Sequence, residues 1–136
     1  MQIATALAQP LSIHRHCMQQ LIHESLVFDQ ANCQGFLAGS GTLIESNSRS
    51  ATAAKTSLIG VYLKTDAQGE ADHRQAALLQ QQFVKATGRE PSFYLLLECS
   101  HKGRTEAWLF ADAALTQALD LDMLEDGALY PVSTNR

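Results

Sequence analysis

The chain of 136 residues holds five histidines and three cysteines, and their spacing limits the chemistry open to them. Cys99-Ser100-His101 sets a thiol near a base, the pairing that nucleophilic catalysis uses. Nothing around it lowers a thiol pKa, so a strand-end packing cysteine and a turn histidine is the plainer reading. His14 and His16 flank Arg15 on a predicted helix; two residues apart, they point in different directions and cannot chelate together. With His23 they read as an exposed polar face. His73 beside Asp72 offers a ligand or proton carrier, against the favoured reading of a surface histidine near a helix cap. Lys64, Asp66, Glu70 and Asp72 form a polar cluster whose default is a solvated loop. Asp120, Asp122, Glu125 and Asp126 have the composition of a calcium loop, but Gly127 is misplaced for one and the ligand spacing does not follow it. Gly35-x-x-x-Gly39-Ser40-Gly41 has no following Lys-Ser/Thr and opens no helix, so it is not a phosphate-binding loop.

The elements that must position these groups follow from periodicity. Asn32 to Glu45 reads as two strands, about 35–38 and 42–46, folded back at Gly39-Ser40-Gly41, where glycine reaches positive φ without strain. Before it, Ile13, Cys17, Leu21 with Met18, Ile22, Leu26 form an apolar stripe on a helix of about 13–28, with Ser12 as its N-cap. After it, residues 47–56 read as a polar loop and 57–64 as a β-branched and aromatic strand. A turn over 65–71 leads to a helix capped by Asp72, with Ala76, Leu79, Phe83 and the neighbouring Leu78 and Val84 on its buried side; Gly88 and Pro91 end it. Two strands, 92–99 and 105–111, are joined by a glycine-containing turn at 100–104, and Phe93 to Leu97 reads as buried on both faces. Trp108 and Phe110 read as core or an oligomer contact. Asp112 caps a short last helix to about Leu119, and flanking strands are expected at 3–7 and 128–132.

Composition sets the outer bounds. Hydrophobic residues make up 46% of the chain, enough for one core without metal or disulfide staples. The expectation is a single domain over 1–136, with its core at about 12–111 and a tail at 112–136. A net charge of -4 without clustered Lys and Arg argues against nucleic acid and anionic membranes. No apolar stretch approaches the ~18 residues of a membrane span. The first ten residues make a poor signal peptide, and three widely spaced cysteines fit reduced thiols, so a cytoplasmic protein is expected.

The order helix, Gly35-Phe36-Leu37-Ala38-Gly39, strand, Gly60-Val61-Tyr62, helix, two strands resembles the JAB/MPN (Mov34) domain family over residues 12–111. That resemblance implies an α/β (α+β) fold of cytidine-deaminase-like architecture. Its mixed, largely antiparallel sheet of about five strands would be flanked by the two long helices. In the family a Glu precedes the first glycine motif by three residues. Gly-x-Tyr runs into His-x-His, and Ser-x-x-Asp follows; the two His and the Asp bind zinc, and the Glu acts as acid/base.

Here those positions hold Asn32, Leu63, Thr65, His73 and Ala76. Catalytic zinc needs three protein ligands and an open position. Leu63 has no lone pair, Thr65 is a poor ligand, and Asn32 cannot take a proton from water at neutral pH. The resemblance therefore implies a non-catalytic scaffold or regulatory domain, binding no metal or cofactor and pairing with itself or a protein partner. The rival expectation is an enzyme or small-ligand binder that re-uses the vacated pocket through Cys33, Lys64, Asp72 and His73. A roadblock- or profilin-like interaction module is the other alternative, separable by strand order.

Overall fold

The computed structural model describes residues 11–29, 32–49, 57–65, 70–99 and 105–124. Within them lie β1 (Leu11–His14), α1 (Arg15–Val27), β2 (Gln34–Ser40), β3 (Leu43–Ser48) and β4 (Leu58–Thr65). They are followed by α2 (Glu70–Thr87), β5 (Phe93–Cys99), β6 (Thr105–Phe110), β7 (Ala118–Leu119) and β8 (Leu121–Leu124). The expected strands at 3–7 and 128–132, the turn at 100–104 and residues 66–69 of the turn expected at 65–71 lie outside the described residues. Thr65 ends β4 and Glu70 begins α2, so Asp72 lies within the first turn of the helix instead of capping it. Among the described residues no helix is long and apolar enough to cross a membrane.

One eight-stranded sheet runs β7-β6-β5-β4-β2-β3-β1-β8. The β2–β3, β2–β4, β5–β6 and β6–β7 pairings are antiparallel. The β1–β3, β1–β8 and β4–β5 pairings are parallel. The sheet is therefore mixed, as expected, but larger than the five strands expected. The three additional strands are short. β1 covers residues read as a helix start, and Ser12 donates its backbone N–H to Thr42 O at 2.8 Å instead of capping. His14 takes the N-cap position of α1 without a side-chain capping bond.

The expected last helix at 112–119 is also corrected. Asp112 does cap, but it caps a loop: the backbone N–H groups of Thr116 and Gln117 donate to its Oδ1 at 3.0 and 2.9 Å. The chain then turns through Leu115 at φ 58 and enters β7. A short acidic side chain that satisfies two backbone donors offers the chain an alternative to the helix.

Alternation along the strands separates two cores. Leu37, Tyr62, Phe93, Leu95, Leu97 and Leu109 pack beneath Ile13 of β1 and Cys17 and Leu21 of α1. Phe36, Val61, Leu63 and Tyr94 pack beneath Ala76, Leu79 and Phe83 of α2. The two long helices thus cover opposite faces, as the stripes predict, but the stripes are narrower than expected. Leu26 on α1 and Leu78 and Val84 on α2 are exposed, because they lie off the helix face turned to the sheet. Phe93, Leu95 and Leu97 on one face and Tyr94 on the other make β5 buried on both.

Two glycines of the hairpin stretch are required by close approach. A Cβ on Gly35 would meet Ser48 O and Arg49 Cα, and one on Gly39 would meet Leu43 O. Gly41, at φ 60, carries the hairpin turn. Of the two places expected for Trp108, core or an oligomer contact, the core is ruled out: it is 47% exposed, its Nε1 donating to Glu98 Oε1 at 3.1 Å.

Candidate functional site

Of the positions that the resemblance assigns to the zinc site, Leu63, Thr65 and Ala76 are packed rather than open. Leu63 and Ala76 are both fully buried in the α2-side core with Val61 and Phe83. Thr65, two residues on from Leu63 along β4, is 5% exposed. Asn32 is exposed. Its backbone N–H and its Nδ2 both donate to Asp29 Oδ1, at 3.1 and 2.8 Å. Two aliphatic side chains, a hydroxyl and a carboxamide tied into a turn do not fit a zinc ion. Among the described residues no three His, Cys, Asp or Glu side chains gather into a group able to hold a metal.

The candidate pocket residues are divided by the sheet. Cys33 is fully buried in the α1-side core, and its carbonyl accepts from the backbone N–H of Lys64 at 3.1 Å. Lys64 Nζ donates to Phe28 O at 2.8 Å, at the C-terminal end of α1. A cation there satisfies a terminal carbonyl and complements the helix dipole. His73 is exposed on α2, across the sheet from both. The side chains of Asp72 and Cys99, together with His101, lie outside the described residues.

The polar group that the fold does assemble is one the sequence gave little sign of. The Tyr62 hydroxyl donates to Glu24 Oε1 at 2.8 Å, and Asn47 Nδ2 donates to Glu24 Oε2 at 2.9 Å. Cys17 Sγ lies 3.9 Å from Asn47 Oδ1. The network joins α1, β3 and β4. Burial pushes the Tyr62 phenol well above the ordinary tyrosine range, so it stays a donor at any physiological pH. Neighbouring Glu24 raises it further, while the Asn47 bond works the other way.

This network forms part of the wall of a cavity of about 530 Å³ lined by His16, Gln19, Gln20, His23, Glu24, Asn47, Ser48 and Arg49. His16, Gln19/Gln20 and His23 follow the spacing of one helix face, so their sharing a wall was legible. The meeting with Asn47 and Arg49 was not, because it depends on where β3 ends against α1. Beside the cavity, the Arg49 guanidinium lies over the Phe28 ring, 4.5 Å from its centroid.

No protein-family model matches the chain, and no curated protein matches it. Solved structures do. A JAB1/MPN domain protein from Archaeoglobus fulgidus aligns over 87% of this chain and 100% of its own, with a TM-score of 0.55 and 8% identity. A structure solved as JAMM, a metalloprotease-like zinc site in the proteasome and signalosome, aligns over 86% of this chain and 100% of its own. Its TM-score is 0.55 and its identity 9%. The chain therefore has a JAB/MPN-like fold, and at such low identity the likeness extends to the fold alone.

Proposed function

We propose that this chain is a non-catalytic protein-interaction or scaffold domain on a JAB/MPN-like frame, its zinc-holding positions having become core. The observation that carries this reading is the full burial of Leu63 and Ala76 in one apolar cluster with Val61 and Phe83. Replacing ligands by packed aliphatics removes lone pairs and adds apolar burial, so the frame keeps its stability without the ion. The hairpin glycines support the same view. Gly35 and Gly39 exclude a Cβ for reasons of strand packing, so their presence follows from the fold and requires no catalysis.

Partner binding is supported by apolar side chains left at the surface. Trp108 stands exposed on β6, and among the described residues β7 pairs with Leu109 and Phe110 of that strand alone. Leu26 and Val27 are exposed at the end of α1. The partner is a protein or a second copy of this chain.

The test combines metal analysis of protein purified with zinc present and its mass in solution. The expected result is far less than one zinc per chain and a species heavier than the monomer, or a protein retained with it. Stoichiometric zinc, or cleavage of an isopeptide bond, overturns the non-catalytic half. A strict monomer that retains no partner overturns the other.

A further inference from the structure

The cavity between α1 and the end of β3 lies across the sheet from the converted zinc positions, so what it binds is independent of the reading above. Its lining combines two opposite charges, each held in place by another residue. Glu24 is fixed by Tyr62 and Asn47, which occupy one position on each carboxylate oxygen. A carboxylate accepts about four hydrogen bonds, so acceptor capacity remains. The Arg49 guanidinium is held over the Phe28 ring by a cation–π contact. That contact uses none of its N–H donors in a hydrogen bond, and a guanidinium matches a carboxylate in bidentate fashion. His16, Gln19, Gln20 and His23 share the lining with Glu24 and Arg49. At about 530 Å³ the cavity falls within the range of small-molecule sites.

We propose that this cavity is a binding site for a zwitterionic α-amino acid or dipeptide, its ammonium directed to Glu24 and its carboxylate to Arg49. A purely anionic ligand would meet the fixed Glu24 carboxylate, and a purely cationic one would meet Arg49. A molecule with both charges is complementary to both walls. Organised charges of this kind do not have to be ordered at the moment of binding, which favours affinity.

The test is calorimetric titration of the full chain with the free L-amino acids and a set of dipeptides, alongside their N-acetylated and C-amidated forms. At least one zwitterion should saturate the protein, and blocking either end should weaken binding by about tenfold or more. Arg49→Gln leaves the Tyr62–Glu24–Asn47 network in place; it should lose the preference for a free carboxylate while its unfolding midpoint stays near that of the parent. Glu24→Gln should lose the preference for a free ammonium. If that variant unfolds, the Arg49→Gln arm still decides. No saturation by any zwitterion at about 10 mM, or binding indifferent to both end blocks, overturns the proposal. So does binding that Arg49→Gln leaves unchanged.

Discussion

Tyr62 shows how a single side chain can serve fold and pH response together. Its ring fills the α1-side core, while its hydroxyl reaches Glu24 at the margin of that core. Tyr62→Phe keeps the ring and removes the donor; the expected loss is about 1–2 kcal/mol in urea unfolding. The raised phenol pKa has a definite sign. The unfolded chain releases the proton near pH 10, while the folded chain holds it to higher pH, so stability falls as pH rises above about 10. Tyr94, pushed up to about 12 mainly by burial, adds to the same limb. The alkaline loss of stability should therefore be shallower in Tyr62→Phe, and an unchanged slope would refute this account. Gly60 is a steric case. A Cβ there would sit against the Phe93 ring and its carbonyl oxygen. Gly60→Ala should cost about 1–3 kcal/mol, read as a lower unfolding midpoint with unchanged slope.

At the scale of elements, the two helices read from their stripes, while the short strands depended on distant partners. β1 is four residues long and gains its ladder from β3 and β8, so no local signal could define it. The loop after β6 shows a polar residue overriding a helix pattern. Bonds from Thr116 and from the backbone of Gln117 hold the Asp112 carboxyl below its ordinary range. The charged form is thus favoured in the folded chain, so this contribution is present above about pH 4 and fades as pH falls below it. Asp112→Ala should speed hydrogen exchange at the Thr116 and Gln117 amides while leaving those of β5 unchanged. Protection that is equal in both chains would mean the side chain does not order the loop. α1 is tied to β6 by Ser25, whose hydroxyl donates to Ile22 O at 2.7 Å and pairs with Thr105 Oγ1 at 2.9 Å.

Across the whole molecule, the sheet is a partition. Both cores rest on it, and it sets Cys33 and Lys64 apart from His73 while bringing Glu24, Asn47 and Tyr62 together. A fold of this kind constrains what a lost site can become: the ends of its strands either keep polar residues in water or close over apolar ones. The proposed function requires the second outcome, and it can be tested by reversal. Leu63→His with Ala76→Asp would place polar groups inside the α2-side core. Each unpaired buried group should cost about 3 kcal/mol or more, enough to leave little folded protein at room temperature. A folded double variant that takes up zinc would show an open site beneath α2 instead.

The sequence by itself determined the two long helices, the hairpin, the β4–α2–β5–β6 run and the JAB/MPN-like frame. It also showed that Leu63 and Ala76 offer no lone pairs to a metal. These depend on periodicity, glycine placement and residue chemistry, all of which are local. Tertiary structure alone decided that those two side chains are sealed within the core, that Cys33 is buried, and that Tyr62 and Asn47 fix Glu24 at the wall of a cavity. The last of these depends on hydrogen bonds between residues 15 to 38 positions apart, which come into register only when the sheet forms.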